Sequence, residues 1–571
     1  MKPFLVTSLQ AAKMPRWLLL LMCALYVVPG LIGRDPWRYE DATGFGVAWT
    51  MAFAGSGPAD WLMPNVLGVP LADEGPVPFW LGAIAMRALP LLPPDAVMRG
   101  VAMAWLALFL VTLWYATWLL ARRPEVQPAD PFGASASRID YGRAIADSAL
   151  LLTMATFGLL DRVHETTAES AQVAWIGVFL FGCALALERP ALGGALAGLA
   201  VGLTVGTRGV PIAVVMLVVA LLLPARVGVY RLVARPMLLA LVPVALLSAA
   251  VWPVMLLAAD PPGGAEFLAD WASSNRAQVA GQTTETWRFL ARNVAWFFWP
   301  AWPLALWAAW RWRDRRLEPA LALPAALAAT LALLAVLAPR PNGGMLMPIV
   351  PALAMLGTLA LPTIRRGLIS LIDWFAVMTF TLIGAGLWAY WIAFQTGWPP
   401  RMALSAQKAV LGFQPTYAVF ELIAGLLVTA AWLALVAWRV SRQPRAMWRS
   451  MMLSSGGLVL AWTMLMTVWL PAGNYRRTYR DVAQQAGLVV SPRHECVSTL
   501  GVDTSQRATF AYYGGLRLDD RRTDCEWLLV ADRASDPLDP SLVPGEWRQS
   551  WRGQRPADKQ ERFRLFHRVT R

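Results

Sequence analysis

Long apolar runs separated by short polar connectors fill the chain up to about residue 470. Runs near or above the ~20 residues a helix needs to cross a bilayer occur at 17–33, 99–121, 143–160, 168–187, 191–206, 210–224, 237–258, 294–310, 319–338, 345–362, 371–393, 416–438 and 451–470. They predict about thirteen transmembrane helices. The stretch 79–92 is shorter and rich in proline, and is expected to lie as a helix at the interface. From 474 onward the pattern turns polar. The tail predicts a helix at 475–488, a strand at 496–501, a helix at 504–513, a strand at 527–531 and a closing strand at 562–568. The expected fold class is an α-helical polytopic membrane protein, residues 1–473, carrying a small α/β C-terminal domain, residues 474–571.

The charges orient this plan. Lys2, Lys13 and Arg16 precede the first run. Arg122 and Arg123 follow the second, Arg189 the fourth, and Arg226, Arg231 and Arg235 the sixth. Arg311, Arg313, Arg315 and Arg316 follow the eighth, Arg365 and Arg366 the tenth, and Arg439, Arg442, Arg445 and Arg449 the twelfth. Every other connector is basic, so the positive-inside rule puts the N-terminus in the cytoplasm and the tail outside. No clear A-x-A site follows the first run, which is therefore read as an uncleaved anchor rather than a signal peptide. The long connectors 34–98 and 259–293 are external on this plan.

Composition narrows the class. The chain is 57% apolar and 15% charged, with mean hydropathy +0.48. Soluble proteins average roughly 25% charged residues. A disordered chain, a disulfide scaffold and an ordinary soluble enzyme are excluded. The net charge of +14 follows from the basic connectors, so it implies no nucleic-acid partner. The 30 Trp suit interfacial aromatic belts. Cys496 and Cys525 both sit in the external tail, where disulfides form, and are expected to be bridged; two buried thiols are the alternative. Cys23 and Cys183 lie within apolar runs and are read as packing residues. No repeat, P-loop or CxxC motif is present.

Candidate chemistry begins just after the first run, in Arg34-Asp35-Pro36-Trp37-Arg38-Tyr39-Glu40-Asp41-Ala42. Adjacent carboxylates beside arginines and aromatics suit a general base or a metal ligand. The alternative is a helix N-terminus whose acids suit its dipole. A second acidic cluster, Asp161-Arg162-Val163-His164-Glu165 with Glu169, lies between the third and fourth runs. Ionisable residues at membrane depth are functional candidates, against the alternative of a solvated turn. His164 reads as a proton carrier or a partner of one, or as a structural histidine.

The first loop continues Asp60-Trp61-Leu62-Met63-Pro64-Asn65-Val66-Leu67-Gly68, then Glu74-Gly75-Pro76-Val77-Pro78-Phe79-Trp80-Leu81-Gly82-Ala83. This order resembles the polytopic glycosyltransferases of the GT-C superfamily, in the protein-mannosyltransferase-like family that includes the lipid A aminoarabinose transferase. The resemblance implies a periplasmic active site in a bacterial inner-membrane protein. Such a protein moves a sugar from a polyprenyl-phosphate donor to lipid A, another glycolipid or a protein. Family members read D-E-A in this loop, and the first acid is catalytic. Glu40-Asp41-Ala42 matches with the acids swapped, which puts Glu40 on the catalytic position beside Asp41. A second acid falls in the next external connector, where Glu165 is the match and Asp161 the runner-up. A lysine that contacts donor phosphate precedes the family's PP-x-YYW stretch. Here Glu74 stands at that position, and Trp80 falls in the aromatic stretch. Gly206-Thr207-Arg208-Gly209 resembles the family's T-K-G turn. Arg340 precedes Met345-Leu346-Met347-Pro348, which stands for YLLP. An external Arg can hold a lipid-linked phosphate bidentately; headgroup snorkelling is the alternative. Glu40 and Glu165 are the candidates for a divalent cation (Mg, Mn or Zn). The rival classes are a polytopic transporter or flippase and a non-catalytic assembly protein. An enzyme is expected to gather Glu40, Glu165, Arg208 and Arg340 in one external cavity.

Overall fold

The structure, a computed structural model, describes residues 6–55, 57–128, 135–160, 162–415, 419–441, 447–490, 495–520, 524–543, 545–555, 557–558 and 560–569. Among them, nine helices are long and apolar enough to cross a bilayer unaided: Pro94–Ala121, Ala168–Leu185, Pro190–Arg208, Gly228–Ala259, Pro319–Leu337, Gly343–Thr363, Ser370–Thr396, Val419–Arg439 and Met451–Val468. Each coincides with an expected run.

The other four expected runs differ from simple spans. The first is helical only over Arg16–Val27, 12 residues. At 1.5 Å per residue that covers about 18 Å, less than the ~30 Å hydrocarbon core. The chain leaves the helix through Pro29 and Gly30, whose φ of 84° favours glycine. The run at 143–160 forms Arg138–Ala155 and then bends into single turns at Phe157–Leu159 and Arg162–His164. Val210–Arg226 has 17 residues, just short of a full crossing. The run at 294–310 is divided into Thr284–Phe297 and Ala301–Arg311. Pro300, lacking an N–H, stands at that break.

Ala168–Leu185 is almost wholly buried and forms the centre of the bundle, whereas Ser370–Thr396 and Val419–Arg439 lie at its edge. Pro190–Arg208 packs on Gly228–Ala259 through a stripe of glycines one turn apart. A Cβ at Gly194, Gly198 or Gly202 would come 2.2 Å from the Met237 carbonyl oxygen, 2.3 Å from that of Leu241, or 1.9 Å from Ser248 Oγ. Small residues let helices approach this closely where lipid offers no hydrophobic drive to association.

The first loop holds the helix Glu40–Trp49, the short helix Ala59–Leu62, a hairpin of β1 (Asn65–Val66) and β2 (Val69–Pro70), and the helix Val77–Ala88. The last is a helix overlapping the stretch 79–92, and it leaves Leu81 and Ile84 exposed. The tail is a five-stranded sheet of β3 (Cys496–Leu500), β4 (Arg517–Leu518), β5 (Trp527–Arg533), β6 (Trp547–Gly553) and β7 (Glu561–Arg568), in the order β4-β3-β5-β7-β6. β3 runs parallel to β4 and β5, and β7 runs antiparallel to β5 and β6. Helices Arg480–Val490 and Thr504–Gly514 accompany the sheet. β4 and β6 were not legible because they are edge strands, one two residues long and the other polar and exposed. Cys496 and Cys525 form a disulfide, with Cα atoms 5.1 Å apart.

The tail docks on the first loop. Ala508 sits against Gly46, and the Phe45 and Tyr512 rings pack edge to face with centroids 4.9 Å apart. Arg507 donates to the Leu67 carbonyl at 3.0 Å. Tyr512 donates its hydroxyl to Asp95 at 2.9 Å, and Arg480 pairs with Asp35 at 3.2 Å. The loop and the tail therefore share one face of the bundle.

Candidate active site

Glu40 and Asp41 open the helix Glu40–Trp49, where acids favour the positive end of the dipole. About 100° apart on the helix, they point to different surroundings. Asp41 is fully buried. Its Oδ1 accepts from Arg99 Nη1 at 2.9 Å and from the backbone N and hydroxyl of Thr166 at 2.8 and 2.9 Å. Its Oδ2 accepts from Arg99 Nη2 at 2.8 Å, the Trp37 N–H at 3.0 Å and Arg34 Nη2 at 3.2 Å. Burial alone would raise its pKa, but the Arg99 and Arg34 guanidinium groups hold it well below the usual carboxylate range. With every lone pair engaged, Asp41 ties the first loop to the helix Pro94–Ala121 and to the turn before Ala168–Leu185, and no face of it is open to a substrate.

Glu40, by contrast, is 48% exposed and begins a chain of alternating charges. Its carboxylate pairs with Arg162. Arg162 also donates from Nε and Nη2 to Glu169 at 3.0 and 3.1 Å. Glu169, 1% exposed, accepts from Arg208 Nη1 at 3.2 Å, and Glu74 lies 3.6 Å from that same nitrogen. Glu169 occupies the first turn of Ala168–Leu185, and Arg208 the last turn of Pro190–Arg208. Each suits the dipole there. Gly209 follows at φ 95° and carries the chain away from Arg208; a Cβ there would strike Asn275 Oδ1 at 1.9 Å. Gly75 donates to the Thr207 carbonyl at 2.9 Å, which ties the Glu74 loop to the Arg208 turn.

A cavity of about 630 Å³ adjoins this chain. Arg208, Asp73, Gln172, Arg340 and Asn342 supply its polar lining, and Ile212, Leu331 and Leu334 make an apolar wall. Arg340 is exposed and forms no ion pair among the described residues. Gly344 lies so close to Glu169 that a Cβ would reach Oε1 at 1.6 Å, which brings the Arg340 loop against the charge chain. Arg208 and Arg340 thus share a cavity, and Glu40 and Glu74 connect to it through Arg162, Glu169 and Arg208.

The remaining candidates lie apart. Glu165 stands beside the buried node, 4.0 Å from Arg34. His164 is buried, its ring nitrogens 2.5 and 2.6 Å from the carbonyls of Leu160 and Tyr26, away from the cavity. Trp80 donates to the Trp61 carbonyl at 2.6 Å and packs the first loop. Asp161 lies outside the described residues. The disulfide is confined to the tail sheet. Glu40 and Glu165 do not fit a divalent cation. One is paired to Arg162 and the other faces Arg34, and no group of three His, Cys, Asp or Glu side chains that could share an ion occurs among the described residues. Arg34, Arg99 and Arg162 were not singled out from the sequence. Arg99, a charge in an apolar helix, was the available signal.

A helical bundle of this plan, with a long helical first loop and a small α/β tail docked on it, has the fold seen in a solved membrane protein, ArnT. Over 96% of its length the chain is similar in structure to ArnT from Cupriavidus metallidurans bound to undecaprenyl phosphate, with TM-score 0.67, 14% identity and 98% of that chain covered. The same ArnT in the apo state gives TM-score 0.64, 14% identity and coverage of 96% and 97%. The archaeal oligosaccharyltransferase AglB from Archaeoglobus fulgidus gives TM-score 0.45 and 13% identity over 88% of this chain and 64% of that one. No protein-family model and no curated protein sequence matches the chain.

Proposed function

We propose that this protein is a membrane glycosyltransferase acting at the external, periplasmic face of a bacterial inner membrane. It moves a hexosyl or pentosyl group from a polyprenyl-phosphate donor to an envelope acceptor such as lipid A, another glycolipid or a protein. The observation that carries the reading is the cavity: two arginines, Arg208 and Arg340, at the edge of an apolar wall of Ile212, Leu331 and Leu334. That combination suits a ligand with an anionic head and a hydrocarbon tail. The fold shared with ArnT, solved with undecaprenyl phosphate bound, supports the same donor class.

In this reaction a bond forms from an acceptor oxygen to the anomeric carbon, the bond from that carbon to the phosphate oxygen breaks, and polyprenyl phosphate leaves. Glu40, oriented by Arg162, takes the proton of a hydroxyl acceptor; for a phosphate acceptor it positions the acceptor instead. Arg208 and Arg340 hold the phosphate in ground and transition states.

The test is transfer of labelled sugar from a polyprenyl-phosphate donor in membranes. Glu40→Gln is expected to lower turnover by about 10²–10⁴-fold at unchanged protein level. Arg208→Ala is expected to raise the KM for donor, because a phosphate contact acts before the transition state as well as in it. Near-wild-type turnover by Glu40→Gln removes that residue from the chemistry. No turnover by the parent with any lipid-linked sugar favours the transporter or assembly-protein reading.

A further inference from the structure

Arg208, one of two guanidinium groups lining the cavity among the described residues, is already shared. Glu169 and Glu74 both approach its Nη1, at 3.2 and 3.6 Å. Glu169 has a second cation, Arg162, which in turn pairs with Glu40. Three carboxylates are thus strung on two guanidinium groups, with Asp73 beside them on the cavity wall. Glu74 is the carboxylate at the end of the chain, and Arg208 is the one cation with which it forms an ion pair among the described residues. It cannot swing far into solvent: its side chain is 12% exposed, and the next residue, Gly75, is fastened to the Thr207 carbonyl.

We propose, building on the donor reading above, that Glu74 is a titratable competitor for Arg208 which must be uncharged before Arg208 takes the phosphate of a lipid-linked donor, so that wherever Glu74 is ionised donor binding takes up a proton at this side chain. An ionised Glu74 would leave an incoming phosphate as a further anion on a guanidinium already serving two carboxylates. A protonated Glu74 leaves Arg208 with Glu169 alone, which Arg162 also compensates. The groups facing Glu74 are Arg208 at the end of Pro190–Arg208, Glu169 on Ala168–Leu185, Glu40 on Glu40–Trp49 and Asp73 on its own loop. Burial first, then the three neighbouring acids, outweigh Arg208 and push the Glu74 carboxyl up to about 8. The site is therefore ready for an anion at neutral pH and closes to it in mild alkali.

The experiment uses the full chain in nanodiscs and farnesyl-phosphoryl-glucose, a phosphodiester whose charge does not change between pH 6.5 and 9.5. Its binding is read by quenching of tryptophan fluorescence. The apparent Kd is expected to be flat to about pH 8 and then to rise about tenfold per pH unit, the slope of one coupled proton. Glu74→Gln is expected to bind at least as tightly as wild type and to lose the slope. A slope retained in Glu74→Gln, or a wild-type affinity independent of pH, overturns the proposal while leaving the donor reading intact. No binding at any pH overturns both. The wild-type profile decides the matter even where the variant fails to fold.

Discussion

Glu40 and Asp41 are neighbours in sequence with opposite surroundings. Asp41 is sealed between Arg34, Arg99 and Thr166; Glu40 is half exposed and paired with Arg162. Removing one partner of a buried ion pair leaves an uncompensated charge and costs roughly 3–5 kcal/mol. Asp41→Asn should therefore lower the thermal midpoint of the detergent-extracted protein sharply, and Glu40→Gln should leave it within a degree or two. Equal midpoints for the two variants would show that Asp41 does not anchor the loop. The stability supplied by Asp41 is present above its unfolded pKa of about 3.8 and is lost only as pH falls below that, through its lower folded value. Glu74 acts in the other direction. Its raised carboxyl favours the folded state at low pH, and that advantage disappears as pH rises through about 8. The acids themselves were legible in the sequence. Their roles were not, because which side of a helix faces a cavity depends on what packs against it.

The helices record the same division at the next scale. Nine apolar runs became helical segments long enough to cross a bilayer among the described residues. The other four were shortened, bent or split at features written in the sequence, such as Pro300, whose effect depends on packing. The glycine stripe of Pro190–Arg208 holds that helix directly against the backbone of Gly228–Ala259, and Arg208 sits at its end. Gly198→Leu would drive a side chain into the Leu241 carbonyl. Overpacking of this kind costs about 1–3 kcal/mol or more, and here it also shifts Arg208. A lower thermal midpoint and a reduced yield of extracted protein are expected. Gly100→Ala, where a Cβ meets nothing within 4 Å, serves as the control. Its midpoint should hold or rise slightly, since Ala favours a helix over Gly by up to about 1 kcal/mol. A midpoint for Gly198→Leu equal to that of the control would contradict the close approach.

The tail and the first loop are fastened to each other by Arg480 with Asp35, Tyr512 with Asp95, and Arg507 with the Leu67 carbonyl. They must lie on the same side of the membrane. The positive-inside rule leads us to expect that side to be external and Arg122 and Arg123 to be cytoplasmic. Reporter fusions after Arg123 and after Tyr475 are expected to report opposite sides; the same side for both would break this topology. The sequence by itself determined that the chain is a polytopic membrane protein with a small α/β tail. Apolar run length and composition are local properties, and a bilayer reads them locally. It also brought Glu40, Arg208 and Arg340 forward as candidates. Only the tertiary structure decided which charges meet. Arg162 reaches Glu40 across 122 residues of chain, and Arg99 reaches Asp41 across 58. Partners in a charge network are chosen by the packing of whole helices, and no local pattern encodes that distance.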